Sequence, residues 1–176
     1  MATTLSTEVT NLQATPRVLN AVGLQGGRER ICQGHFEVAA ADFDADGDEI
    51  HLCTLPGNAR VTSIKIGGDA MTDSSDSSVN VGFSRVSATN PTTTTIVDEL
   101  YFATSSLAFI AALRLTEFVD EAITAAAIAN WGERLWEVAG DASDTGTYFN
   151  ITMTQTATVA SPTAGTLNYL IRYTID

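Results

Sequence analysis

The chain is short of the side chains on which most enzyme chemistry and most nucleic-acid binding depend. Its 176 residues include one lysine, Lys65, and two histidines, His35 and His51. Nine basic groups stand against twenty-one acidic ones, for a formal net charge of −12. Such a surface repels phosphate, so neither nucleic acid nor an anionic membrane is an expected partner. No stretch approaches eighteen consecutive apolar residues, and no spanning helix is expected. The opening MATTLSTEVTNLQ lacks a basic start followed by an apolar run, so synthesis and folding in a cytoplasm are expected. The two cysteines, Cys32 and Cys53, form no C-x-x-C pair. In a reducing compartment the expectation is two free, packed thiols, with a bridge the less favoured alternative.

Catalytic motifs are missing as well. The sequence has no Walker loop, no G-x-G-x-x-G and no H-E-x-x-H, and no G-x-S-x-G nucleophile elbow. Glu133 with Glu137, or Glu117 with Glu121, read as ordinary surface acids, and a glycosidase needs a larger cleft than this chain easily builds. Asn150-Ile151-Thr152 matches a glycosylation acceptor, but without a secretory signal the match is idle. No cofactor and no enzymatic activity are expected.

What is present is enough apolar material, 44%, for one domain with a core that needs neither disulfide nor metal. Charge divides the chain. Residues 1–35 carry Arg17, Arg28 and Arg30 against Glu8 and Glu29, whereas the remainder holds nearly all the acid. Residues 1–27 sustain neither a helical nor a strand period, and Gly26-Gly27 marks a hinge. The expected organisation is an extended N-terminal arm over 1–27 and a single β-sandwich domain over 28–176.

Alternation begins at Arg28. In RERICQGHFEVAA, Ile31, Phe36 and Val38 punctuate polar neighbours. Ile50, Leu52 and, less cleanly, Leu55 follow an Asp-rich turn; Val61, Ile64 and Ile66 follow Pro56-Gly57-Asn58; Val79, Val81 and Phe83 follow a polar loop. In the middle, Ile96–Phe102 and Leu107–Leu115 suit buried strands, and Phe118–Ala129 suits a short helix or another strand. ERLWEVAG reads as a strand closed by Gly140. Phe149, Ile151 and Met153, then Leu167, Tyr169, Ile171 and Tyr173, alternate on either side of a Pro/Gly turn, which predicts a hairpin. About eight strands at this spacing imply a sandwich or a barrel.

Three clusters invite a chemical reading. Asp42, Asp44, Asp46 and Asp48 around Gly47 open like a calcium loop, in which a tight turn lets carboxylates converge on a hard cation. The twelfth position, which needs a bidentate Glu, is Cys53, so a regular calcium hand is excluded and a solvated turn is preferred to a looser site. Cys32 and His35 on one strand, with His51 and Cys53 on the next, would be cross-strand neighbours if those strands pair, but the spacing is not a standard zinc pattern. Trp131 and Trp136 read as one core anchor and one interface anchor rather than a sugar platform.

The stretch DADGDEIHLCTLPGNARVTSIKIGG followed by VNVGF resembles the capsid decoration (cement) proteins of tailed bacteriophages. Gly47-Asp48-Glu49-Ile50-His51-Leu52, Leu55-Pro56-Gly57-Asn58-Ala59-Arg60-Val61 and Val79–Phe83 carry the likeness, together with RLWEVAG and the closing AGTLNYLIRYTID. The resemblance implies a jelly-roll-like all-β sandwich, a homotrimer and a place in the virion on the outer capsid surface. The major capsid protein is the implied partner. On that reading Leu12, Arg17, Val18, Leu19, Leu24, Arg28, Arg30 and Trp131 are the candidate interface residues. The arm would pair with a capsid or neighbouring strand, its arginines meeting acidic groups. A head-fibre or tail module that recognises a host surface glycan is the alternative, and it requires an exposed aromatic platform around Trp131 and Trp136.

Overall fold

The computed structural model describes residues 28–42, 44–71, 79–86, 94–103, 113–117, 132–159 and 161–175. The expected arm and the segment 118–131 lie outside the described residues. Eight strands are described: β1 (Glu29–Val38), β2 (Glu49–Pro56), β3 (Ala59–Gly68), β4 (Val79–Val86), β5 (Thr94–Ala103), β6 (Leu113–Glu117), β7 (Tyr148–Gln155) and β8 (Gly165–Ile175). They form two four-stranded sheets, ordered β1-β8-β3-β6 and β2-β7-β4-β5. Every pairing is antiparallel.

The topology has a simple generator. First pairs with last, second with seventh, third with sixth and fourth with fifth. One long hairpin has thus been rolled up, and β3–β8 and β4–β7 contacts close the two layers. That is a jelly-roll-like sandwich, the architecture implied by the resemblance.

The interior is made by the alternating residues of both sheets. Val61, Ile64, Ile66, Leu167 and Ile171 from the first sheet meet Ile50, Leu55, Val81, Phe83, Phe149, Ile151 and Met153 from the second, all buried. Phe83 is the hub. Its ring lies 5.4 Å from Tyr101, 5.6 Å from Phe149 and 6.1 Å from Phe102, in edge-on or tilted arrangements that suit aromatic quadrupoles. Two irregularities explain uneven spacings in the sequence. A bulge between His51 and Cys53 accounts for the imperfect alternation of Leu52 and Leu55. Another between Val61 and Ser63 accounts for the three-residue step from Val61 to Ile64.

Three expectations are corrected. Ile31 is not a core residue: it points outward and is 54% exposed, because the inward phase of β1 runs through Cys32, Gly34 and Val38. ERLWEVAG is not a strand but a helical turn, α1 (Leu135–Val138). The Arg134 N–H donates to Glu137 Oε2 (2.9 Å) at its start, and Gly140 ends it at φ +75°, a conformation that favours glycine. Leu135 and Val138 share a face of that turn, and Leu135 is fully buried. Finally, β7 and β8 are not a hairpin. They are central strands of different sheets, and their connection crosses the sandwich, held by Val159 N–H to Asp44 O (2.7 Å) and Thr163 N–H to Met71 O (3.0 Å). Alternation defines which face a strand buries, not which strand it pairs with.

Candidate functional site

The two outer faces of the sandwich differ. On the second sheet Asn150, Thr152 and Thr154 of β7 alternate with core residues and so point away from the interior, as do Asn80 and Ser84 of β4. All five are nevertheless buried, at 0–5% exposure. This central region is therefore not a free surface. Side chains of this face reach solvent toward the edge strand β2, at His51 and Thr54, and at the start of β7, where Tyr148 is 54% exposed.

That edge carries a polar chain with a defined proton arrangement. The Thr54 hydroxyl donates to Asn150 Oδ1 (2.6 Å), which leaves the Asn150 amide to donate to His51 Nδ1 (3.2 Å). His51 Nδ1 is then an acceptor, so the ring proton sits on Nε2 and is donated to Glu49 Oε2 (3.1 Å). The chain uses its donors and acceptors on one another, in the manner of a structural network.

The first sheet presents an open outer face. Ile31, Gln33, His35 and Glu37 of β1 lie opposite Arg172, Leu170, Asn168 and Thr166 of β8. All four β1 residues are exposed. The Thr166 hydroxyl donates to Glu37 (3.0 Å), and Arg172 reaches Glu29 at 3.4 Å with both side chains over 40% exposed, a contact worth little in water. A shallow hollow of about 330 Å³ is lined by Gln33, Gly34, His35, Asn168, Tyr169 and Leu170. It has one imidazole and no carboxylate, so it offers no acid–base pair. β1 is also a sheet edge, and its far side pairs with no described strand.

Beneath this face the registers bring Cys32, Tyr169 and Gly34 together. Gly34 lies opposite Tyr169, and a Cβ there would fall 2.6 Å from the Tyr169 hydroxyl, so only glycine lets the ring cross β1. Burial, and then the two cysteines, push the Tyr169 phenol up.

The sequence candidates fall as follows. Leu12, Arg17, Val18, Leu19, Leu24 and Trp131 lie outside the described residues. Arg28 and Arg30, at the N-terminal end of β1, are exposed, with no ion pair to a described residue. Asp48 accepts from the Asp44 and Ala45 N–H groups (3.0 and 2.7 Å), and Asp42 accepts from the Ala39 N–H (3.1 Å), so these two carboxylates shape the connection from β1 to β2. Among the described residues no three His, Cys, Asp or Glu side chains stand close enough to share a metal ion. His35 and His51 are not cross-strand neighbours, because β1 and β2 belong to different sheets and the two rings leave opposite faces. Trp136 packs against the core with the Arg134 guanidinium 5.9 Å from its ring. Sequence reasoning missed the exposed face of β1 and β8, and the phase of Val38 against Ile31 was the signal that could have found it. It also missed Arg60, 5% exposed, whose guanidinium donates to the Gly132 carbonyl and ties β3 to the segment before α1.

No family model matches the chain, and no curated protein matches it. Two solved structures do. A chain in the capsid of Ralstonia phage GP4 superposes with a TM-score of 0.53 at 16% identity, over 84% of this chain and 85% of that one. A chain of the cyanophage Pam1 capsid asymmetric unit gives 0.45 at 14% identity, over 100% of both. The first shares the fold. At that identity the likeness is one of architecture and transfers no individual residue.

Proposed function

We propose that this chain is a structural virion protein that binds the outer surface of an icosahedral phage capsid and stabilises seams between capsomers. The observation that carries the reading is the division of its surfaces. Among the described residues the interior is filled by side chains, the centre of one outer face is buried, and the other face and its β1 edge are open beside Arg28 and Arg30. The fold shared with a phage capsid chain supports the same reading.

The physics of such a role is thermodynamic linkage. A protein that binds only the assembled, expanded shell stabilises it by about 2.7 kcal/mol per site when free protein stands at a hundred times its Kd. Multiplied over a shell, modest binding resists internal pressure. An edge strand continuous with an arm attaches through main-chain hydrogen bonds and needs no deep pocket. Arg28 and Arg30 would meet acidic groups on the major capsid protein or on a second copy, consistent with a homotrimer.

The test is to add purified protein to expanded shells that lack it. Saturable co-sedimentation at a fixed number of copies per shell, a higher shell-disruption temperature and a trimeric mass by light scattering are expected. A monomer that leaves shells unbound and unstabilised would overturn the reading, and glycan-array binding in its place would favour a receptor-binding module.

A further inference from the structure

Cys32 lies opposite Ile171 in the first sheet and Cys53 opposite Ile151 in the second. Both isoleucines are fully buried, so both thiols point into the space between the layers. The strands that carry them, β1 and β2, are edge strands on the same side of the sandwich and approach within 8 Å, Cα to Cα. Strict alternation from Ile50 would turn Cys53 outward. The bulge after His51 turns it in, toward Cys32, which adds to burial in keeping the Cys53 thiol protonated. Both cysteines are free, Cys53 buried and Cys32 partly accessible.

We propose that Cys32 and Cys53 are a redox site that closes into an inter-sheet disulfide when the protein passes from a reducing to an oxidising solution. This does not depend on the proposed role in a capsid. The oxidant is a low-molecular-weight disulfide. Cys32, as the accessible thiolate, attacks one of its sulfurs, forms a mixed disulfide and expels one small thiolate, which takes up a proton. Cys53 then loses its proton, attacks the Cys32 sulfur and expels the second small thiol. Two protein thiols and one small disulfide become one protein disulfide and two small thiols; the protein gives up two electrons and two protons. Burial and the adjacent Cys32 push the Cys53 thiol up, so the second step is the slow one. The product needs a Cα separation of about 4.4–6.8 Å, a short closure for neighbouring edge strands. It closes a loop of about 20 residues and joins the sheets where no main-chain hydrogen bond does, which raises Tm by roughly 6–12 °C.

The experiment uses the whole chain, purified under reductant and moved into oxidised glutathione. Free thiols counted after denaturation should fall from two to none, the protein should remain one chain on a non-reducing gel, and Tm should rise by that amount and return with dithiothreitol. Cys53→Ser should stop at a single glutathione adduct on Cys32. Should that variant fail to fold, Cys32→Ser, at the accessible position, should yield no intramolecular product. Two thiols that stay free in the folded chain, arrest of the unaltered protein at the mixed disulfide, or disulfides formed only between chains would each overturn the proposal.

Discussion

The buried thiol makes an alkaline signature that can be worked out in advance. Burial first, and then the neighbouring Cys32 side chain, hold the Cys53 thiol above its ordinary range in the folded protein. The unfolded chain has no such environment and titrates near pH 8.5. Below that value both states hold the proton, and the stabilising contribution is present in full. Above it the unfolded state releases the proton while the folded thiol keeps it. The unfolded state then binds fewer protons, and stability falls as pH rises toward the folded value. The slope approaches about 1.4 kcal/mol per pH unit, and the accumulated loss is about 2 kcal/mol at pH 10. Tyr169 is raised in the same direction, but its loss begins only above about pH 10, so the window between 8.5 and 10 isolates the thiol.

The assay is urea unfolding of the reduced protein and of Cys53→Ala at half-unit steps from pH 7.5 to 10. Whatever the substitution costs at neutral pH, the two stability curves should converge by about 2 kcal/mol across the window, because the variant has no thiol to keep protonated. Curves that stay parallel would mean that Cys53 is not desolvated in the folded state. The inward turn of Cys53 at the bulge would then be wrong.

Phe83→Ala removes the ring on which Tyr101, Phe102 and Phe149 converge and should cost about 3–5 kcal/mol in denaturant unfolding; a loss below about 1.5 kcal/mol would show that the cluster is not the centre of the core. Arg60→Met deletes a buried cation and leaves the Gly132 carbonyl without that donor, for a loss of about 2–3 kcal/mol and faster limited proteolysis around residues 132–140. Ile31→Arg should leave stability within about 0.5 kcal/mol, since the side chain is already half in water. On the proposed role it should weaken shell binding about 4- to 15-fold, the value of burying the remaining half of an isoleucine; unchanged affinity would remove this face from the interface.

Much of the sandwich can be read from alternation alone. Val79, Val81 and Phe83, and likewise Phe149, Ile151 and Met153, repeat every second residue and are buried at 0–1%. Pairing is a different matter. A tight turn between two alternating runs suggests a hairpin, but here the Pro162 turn links two central strands whose partners lie elsewhere in the chain. Only non-local packing decides between these outcomes. α1 escapes notice because four residues span barely one helical turn, where the periods of helix and strand do not yet diverge. Bulges are similarly silent. One extra residue at Leu52 looks like noise in the pattern, yet it aims Cys53 inward and so creates the thiol pair. The open face of β1 and β8 was hidden for a simpler reason. An apolar Ile31 beside an apolar interior suggests burial, which masks the signal in its odd spacing from Val38; the register opposite Arg172 places it on the solvent side.

The topology also bears on how a load would be carried. On the proposed role residues 1–27 are the attaching arm, and β1, which follows them in the chain, pairs with β8 over ten consecutive positions, from Glu29–Thr174 to Val38–Gly165. β8 is in turn paired with β3 from Ala59 to Gly68. If the arm is held by a partner and the domain is pulled along the strand axis, these hydrogen bonds are loaded together in shear rather than opened one at a time from an end. An arm attached to a loop tip, or to the five-residue β6, would lack that resistance. The first-with-last pairing of a rolled hairpin therefore does more than close the sandwich. On the proposed role it sets the point of attachment beside the longest ladder among the described strands, where a tethered chain would need it.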